Sequence, residues 1–434
     1  MIEIVAIFFT ALSLIIFSNF PFSFYAFKNK YAYYNLSYSD SLLLNIIINC
    51  NFLLLFSFFK VNLNYLFALI MFSSLTLVAK NYKSYYLLFK QNIYLVIFFT
   101  SIFYAMSAHI AQKAYLDWDG LAHWIYKTQV FFQGGEYKNL ENVPFNWYPH
   151  LGPYLWAFFW KNSYLQHEYL GRIFYIFIFL ISIFSLASKL SQKFRQIEKF
   201  IIVLSIGYLS TNFYLFGGYQ EYLIFFSFFC FSRFMFHFSD NENIYKNSYI
   251  PEIALIGVAN FLLWTKQEGF FYYIIISIIF LLHGKRNFLQ KFLYFFLFLV
   301  FVFLFISIKN YYFGGLYFNE NVINNELAKN LNFIYLFTKI ILISKYMLIS
   351  FIKYPIWIVI FLSFFILTFK SNFFVKNKFF YTFLFLSLSF VTAIFLQTGE
   401  SLSYLLPLTL NRLIFAISGF FIFLPVAMLN KLKK

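Results

Sequence analysis

Charge is scarce in this 434-residue sequence: Asp, Glu, Lys and Arg together make up 11% of it. A water-soluble domain carries about a quarter, so too few charges remain to coat a solvent-facing surface of this size. Cysteine is nearly missing. Cys50 and Cys230 lie far apart inside apolar runs, which excludes a disulfide framework and a thiolate metal cluster. No Gly-rich phosphate-cradling motif occurs. What is present is apolar, with 62% hydrophobic residues and 26% aromatic ones. The 71 Phe follow the AT-rich codons that also encode Ile, Asn and Lys, and no function attaches to them. A soluble enzyme, a disordered chain and a secreted disulfide scaffold are all excluded.

Apolar stretches of about 17–25 residues can cross the hydrocarbon core as helices. Thirteen runs qualify as candidates: 2–20, 42–59, 63–79, 92–110, 171–187, 200–216, 222–238, 252–264, 270–282, 292–308, 355–369, 379–396 and 413–428. Runs 252–264 and 270–282 are short and suggest tilted or re-entrant segments. The first run lacks a basic leader and a small-residue cleavage site, so it is expected to be retained. The expected fold is an all-α polytopic bundle of about 11–13 spans with interfacial helices on its outer face. It divides into N-terminal spans (1–110), a first outer catalytic loop (111–170), central spans with short outer turns (171–308), a second outer loop (309–354) and C-terminal spans (355–434).

Lys and Arg in alternate loops set the orientation. One set of loops holds nineteen basic residues against five acids, a net of +14; the other nets +2, and Arg233 lies within a span. The +14 side is expected to be cytoplasmic. The overall charge of +17 then follows from topology, and a nucleic-acid partner is not required. Every inward loop is short, which leaves no room for a nucleotide-binding domain. Chemistry is expected on the outer face.

Most outer acids stand close to span ends. The densest stretch places Asp117 and Asp119 just before a helical pattern in which Leu121, Trp124, Ile125, Phe131 and Phe132 form an apolar face. Asp119, His123 and Lys127 recur every four residues, which aligns them on the polar face of an interfacial helix, directed outward. The bland alternative is a capped helix with Lys127 reaching to lipid headgroups. Two tight outer turns, 217–221 and 265–269, bring Glu221, Lys266 and Glu268 to the same face, and Arg412 opens the last span after an outer segment, 397–411. Ionisable groups at such positions are costly unless paired or solvated, so they are functional candidates.

The stretch Trp118-Asp-Gly-Leu-Ala-His-Trp-Ile-Tyr-Lys127, followed by Tyr148-Pro-His-Leu-Gly-Pro-Tyr-Leu-Trp156, resembles bacterial multi-span glycosyltransferases of the C-type superfamily, relatives of the protein mannosyltransferases. Gly218-Tyr-Gln-Glu221, Thr265-Lys-Gln-Glu-Gly269 and Asn411-Arg-Leu413 follow in the order that group shows. Glu221, Gln267 and Asn411 stand where that group usually has Asp, Asn and Asp. The resemblance runs from about Leu116 to the C-terminus, and the first three spans lie outside it.

This resemblance implies a polyprenyl-phosphate sugar donor, a glycan, lipid or protein acceptor, and an active face turned outward from the bacterial inner membrane. Outside the cytoplasm the donor must bring its own leaving group, and phosphate needs no general acid. Asp119 is the expected base that deprotonates the acceptor hydroxyl, with Asp117 the alternative base, a supporting group or a metal ligand. Lys127, Lys266 and Arg412 are candidates for the phosphate. His123, His150, Glu221 and Glu268 are candidates for holding sugar or acceptor, and displacement should invert the anomeric centre. No cofactor is required, although Mg²⁺ or Mn²⁺ would suit the hard carboxylate oxygens. The rivals are a polymerase or ligase of lipid-linked polysaccharide and a transporter without chemistry. The second outer loop is expected to contribute an amphipathic stretch near 331–348.

Overall fold

The computed structural model describes residues 2–20, 37–240, 249–314, 333–370, 373–397 and 402–433. Helix accounts for 85% of it, and no strand occurs among the described residues. In chain order the α-helices are α1 (Ile2–Ser18), α2 (Tyr38–Ser57), α3 (Leu63–Lys80), α4 (Tyr82–Gln91), α5 (Ile93–Lys113), α6 (Ile125–Phe132) and α7 (Leu151–Lys161). They continue as α8 (Glu168–Ser185), α9 (Gln196–Ser210), α10 (Glu221–Asp240), α11 (Ile250–Leu263), α12 (Gln267–His283) and α13 (Phe288–Phe313). The last are α14 (Phe333–Lys353), α15 (Pro355–Lys370), α16 (Phe373–Lys376), α17 (Phe379–Gln397), α18 (Leu402–Phe421) and α19 (Leu424–Leu432).

Nine of the described helices are long and apolar enough to cross a bilayer, and four shorter ones are also apolar. A helix satisfies its own backbone hydrogen bonds, which is why apolar sequence takes this form in lipid. The distribution of burial is that of a membrane bundle. Glu168–Lys189 and Glu221–Ser239 are 94% and 89% buried and form the centre, whereas Phe288–Phe313 is only 11% buried. Phe296, Phe303, Phe365 and Phe385 point away from the protein. Apolar residues all round a helix that is buried on one side call for hydrocarbon on the other. The chain is a multi-pass helical membrane protein.

Four expectations from sequence change. The run 200–216 is not one span: α9 ends at Ser210, and a separate 3₁₀ turn covers Phe213–Phe216. From residue 333 onward, stretch 331–348 belongs to α14, whose Ile334–Lys353 portion has the length and hydropathy of a span; residues 315–332 of that loop lie outside the described residues. Segment 397–411 is helical from Leu402 onward, so Arg412 sits in the middle of α18 rather than at its start. The run 413–428 divides between α18 and α19.

Helices α10 and α18 run side by side in the same direction, with Phe225 stacked on Phe415 and Phe231 tilted against Phe420. Arg412 is thereby level with Glu221, the first residue of α10. At 1.5 Å per residue, α18 begins about 15 Å beyond that level. Toward the other end of α10, Arg233 donates to Asp40 at 2.5 Å and to Ser185 at 2.7 Å. Asp40 also completes the capping box at the start of α2 and accepts from Lys189. A buried guanidinium within a span is tolerated because its partners are supplied by neighbouring helices.

Candidate functional site

The site is assembled where the segment after α5 meets the turn before α10. Asp117 N–H donates to the Gly217 carbonyl at 2.8 Å, and Arg172 donates from α8 to the carbonyls of Tyr115 and Phe216. The two backbones touch because both carry glycine. A Cβ on Gly120 would lie 2.5 Å from the Gly217 carbonyl oxygen, and a Cβ on Gly217 would collide with the Asp117 carboxylate. Gly218 takes φ +104° in the same turn, a conformation that glycine adopts without strain. Directly after Asp119 the chain makes one turn of π-helix, Gly120–Trp124, before α6 begins. Single π turns re-aim side chains and recur at functional sites.

That turn changes the expected outward stripe. Asp119, His123 and Lys127 are all buried, while Leu121 is exposed, so the stripe faces the protein and not the solvent. Asp119 Oδ2 accepts from Arg412 Nη1 at 2.5 Å. Arg412 Nε is 3.5 Å from Glu221 Oε1, which also accepts from Lys266 Nζ at 2.8 Å. Lys266 is in turn 3.4 Å from Glu268 Oε1. Charges therefore alternate along a chain of five side chains, Asp119–Arg412–Glu221–Lys266–Glu268, drawn from four segments that the sequence assigns to one face. Burial works against the Lys266 ammonium, but Glu221 and Glu268 outweigh it and hold its pKa above the ordinary lysine value. The Arg412 guanidinium lies 4.7 Å from the ring centre of Tyr219, a residue of the turn 217–221.

Asp117 has a different environment from Asp119. Its Oδ2 is enclosed and has no hydrogen-bond partner among the described residues. Burial, with the neighbouring Asp119 charge, pushes its pKa above the ordinary aspartate value, although Arg172 opposes this. His123 borders the cluster within an aromatic group: Trp118, Phe145 and Tyr148 lie 5.0, 4.0 and 5.1 Å from its ring. Burial depresses its pKa to about 4 despite Asp119, so it is a neutral imidazole at ordinary pH.

Two expected contributors lie elsewhere. Lys127 is fully buried and donates to the Tyr148 carbonyl at 2.9 Å, so it makes none of the chain's ion pairs. His150 Nε2 is 2.6 Å from Ser57 Oγ, in a box formed by Phe58, Phe131, Tyr137 and Trp264. Neither makes a hydrogen bond or ion pair with the charged chain among the described residues. Lys309, expected to open the second outer loop, lies instead in α13, is buried beside them and donates to the Trp147 carbonyl at 2.7 Å.

A cavity of about 870 Å³ opens beside the charged chain. Its walls include Met106, Ile183, Val203 and Leu408, and Asn411 and Arg412 lie at its polar part. Among the described residues no three His, Cys, Asp or Glu side chains gather as a metal-holding group, and Asp119 and Glu221 are engaged by Arg412 and Lys266. The arrangement offers one unengaged carboxylate, two fixed cations and an apolar cavity in contact with one of them. Comparison with known proteins finds no matching family model, no matching characterised protein and no matching solved structure.

Proposed function

We propose that the chain is a glycosyltransferase that moves a sugar from a polyprenyl-phosphate donor to an acceptor hydroxyl, at the outer face of a bacterial inner membrane. The observation that carries this is the position of Arg412, which belongs both to the buried chain of charges and to the wall of the 870 Å³ cavity. A lipid phosphate has the matching form, with an apolar tail for the cavity and an anionic head for the cation at its edge. The motif order described above supports the same class of enzyme.

In this proposal Asp117 is the base, and Asp119 takes the supporting role. A carboxylate bound by a guanidinium is a weak proton acceptor, whereas one raised by burial and unengaged is a better one. Asp117 removes the proton from the acceptor hydroxyl, and that oxygen forms a bond to the anomeric carbon. The bond from that carbon to the phosphate oxygen breaks, and polyprenyl phosphate leaves with the electron pair. Arg412 and Lys266 stabilise the charge that develops on the leaving group. Asp119, Glu221 and Glu268 hold those two cations in place. Attack opposite the leaving group inverts the anomeric configuration.

The test is turnover by the purified full-length protein in nanodiscs, with a panel of polyprenyl-phosphate sugars and the anomeric form of the product determined. Release of polyprenyl phosphate with an inverted glycoside is expected. Absence of turnover with every donor, or retention of configuration, would refute the proposal.

A further inference from the structure

Two lysines absent from the ion-pair chain converge on one short segment. Lys127, from α6, donates to the carbonyl of Tyr148, and Lys309, from α13, donates to the adjacent carbonyl of Trp147. Both ammonium groups are enclosed, at 0% and 1% exposure. Neither forms an ion pair with a carboxylate among the described residues. Lys309 lies 5.7, 5.8 and 5.2 Å from the ring centres of Tyr137, Phe305 and Phe313, and Lys127 lies 5.5 Å from that of Trp124. Burial without carboxylates works against the charged form and pulls the Lys127 pKa well below the ordinary lysine value. Consecutive peptide carbonyls accept from the two amino groups, and aromatic faces enclose them. The result is a backbone held from two sides, and Leu151 N–H ties the following residues to the Trp264 carbonyl at 3.0 Å.

The segment so fixed lies between two parts of the charged chain: the Tyr148 ring meets His123, four residues after Asp119, and Leu151 binds Trp264, two residues before Lys266. The Tyr148 ring stacks on Phe145 and abuts His123. Asp119, Lys266, Glu268 and Arg412 are the charges that act on its phenol. No hydrogen bond acts on its hydroxyl among the described residues. Burial raises its pKa to about 12, which keeps the phenol protonated and able to donate.

We propose that Tyr148 is a further substrate-contacting residue, its hydroxyl donating to a phosphate oxygen of the lipid donor, and that Lys127 and Lys309 are positioning residues that act through it. The identity of the donor rests on the glycosyl-transfer proposal; the brace itself does not. Enclosed lysines that hold carbonyls cannot serve the phosphate directly, so their effect on turnover must pass through the segment they fix.

The experiment is a double-mutant cycle on full-length protein in nanodiscs, using Y148F, K127M, K309M and Y148F/K309M. Methionine keeps most of the lysine volume inside the aromatic cage. Y148F should lower kcat/KM by about ten- to a hundredfold, the range for a hydrogen bond to a charged group. K127M and K309M should each lower it in the Tyr148 background, and K309M should add little once the hydroxyl is gone. Wild-type turnover by Y148F, or an equal K309M loss in both backgrounds, would overturn the assignment. If the wild type turns over no donor, the glycosyl-transfer proposal fails by itself. Binding of polyprenyl phosphate alone then tests Tyr148, with weaker binding by Y148F expected and equal binding contradicting it. Hydrogen exchange across residues 143–151 tests the brace, with faster exchange in K309M expected and unchanged exchange contradicting it.

Discussion

Arg412 and Asp119 are 293 positions apart in the chain, yet Nη1 of one lies 2.5 Å from Oδ2 of the other. This contact joins the loop after α5 to the middle of α18. Arg412→Ala would leave both Asp119 and Glu221 enclosed without their shared cation. Removing one partner of a buried pair costs about 3–5 kcal/mol, so thermal unfolding in nanodiscs should move markedly downward and turnover should be lost. Arg412→Lys should fall between, because an ammonium cannot span two carboxylates as a guanidinium fork does. A wild-type melting temperature for Arg412→Ala would show that the pair contributes nothing.

How much of this was legible from sequence differs by residue. Asp117, Asp119, Glu221, Lys266, Glu268 and Arg412 were all readable as ionisable groups near span ends, because charge in apolar sequence stands out. The fold class was readable for the same reason. The outward stripe was misplaced because periodicity shows which residues share a face but not which face the bundle covers: Asp119, His123 and Lys127 are all buried. Hydropathy also cannot separate an outer segment from a helix that continues beyond the membrane level, which is why the start of α18 was missed. The contacts of Lys309 and Tyr219 were not readable, since their partners come from distant segments.

The raised pKa of Asp117 has a consequence for pH dependence. The base works only when ionised. Its competence is lost as pH falls through the elevated folded value, at a higher pH than for an ordinary aspartate near about 4. A profile of kcat/KM against pH should show its acidic limb above that point, and Asp119→Asn should move any residual limb downward by removing a like charge. A limb that stays put in Asp119→Asn would argue against Asp117 as the titrating group.

Gly120 marks a close backbone-to-backbone approach in the site. A methyl group there meets the Gly217 carbonyl oxygen at 2.5 Å and the Gly218 Cα at 3.3 Å. Gly120→Ala should force the two backbones apart, at a cost of about 1–3 kcal/mol, and displace Asp117 and Asp119 from Arg412. Turnover should fall more steeply than stability. Equal activity in Gly120→Ala would mean that the close approach has no bearing on function.

The cavity wall can be tested separately from the charges. Gly207 lines the cavity, and a Cβ there would meet only Ile183 Cγ2, at 3.2 Å. Gly207→Leu should fill part of the space without touching the ion pairs. KM for long-chain polyprenyl donors should rise, while short-chain analogues should be affected less. An identical KM change for both chain lengths would remove the cavity from the account.

Turnover of a polyprenyl-phosphate sugar by Asp117→Asn, set beside wild type and Asp119→Asn in the same nanodiscs, bears most directly on the central claim. Loss of a positioned base predicts a fall of about 10²–10⁴-fold in kcat for Asp117→Asn, with donor binding retained. Asp119→Asn should instead weaken donor binding through the loosened Arg412. Full turnover by Asp117→Asn, in a preparation where the wild type is active, would contradict the account.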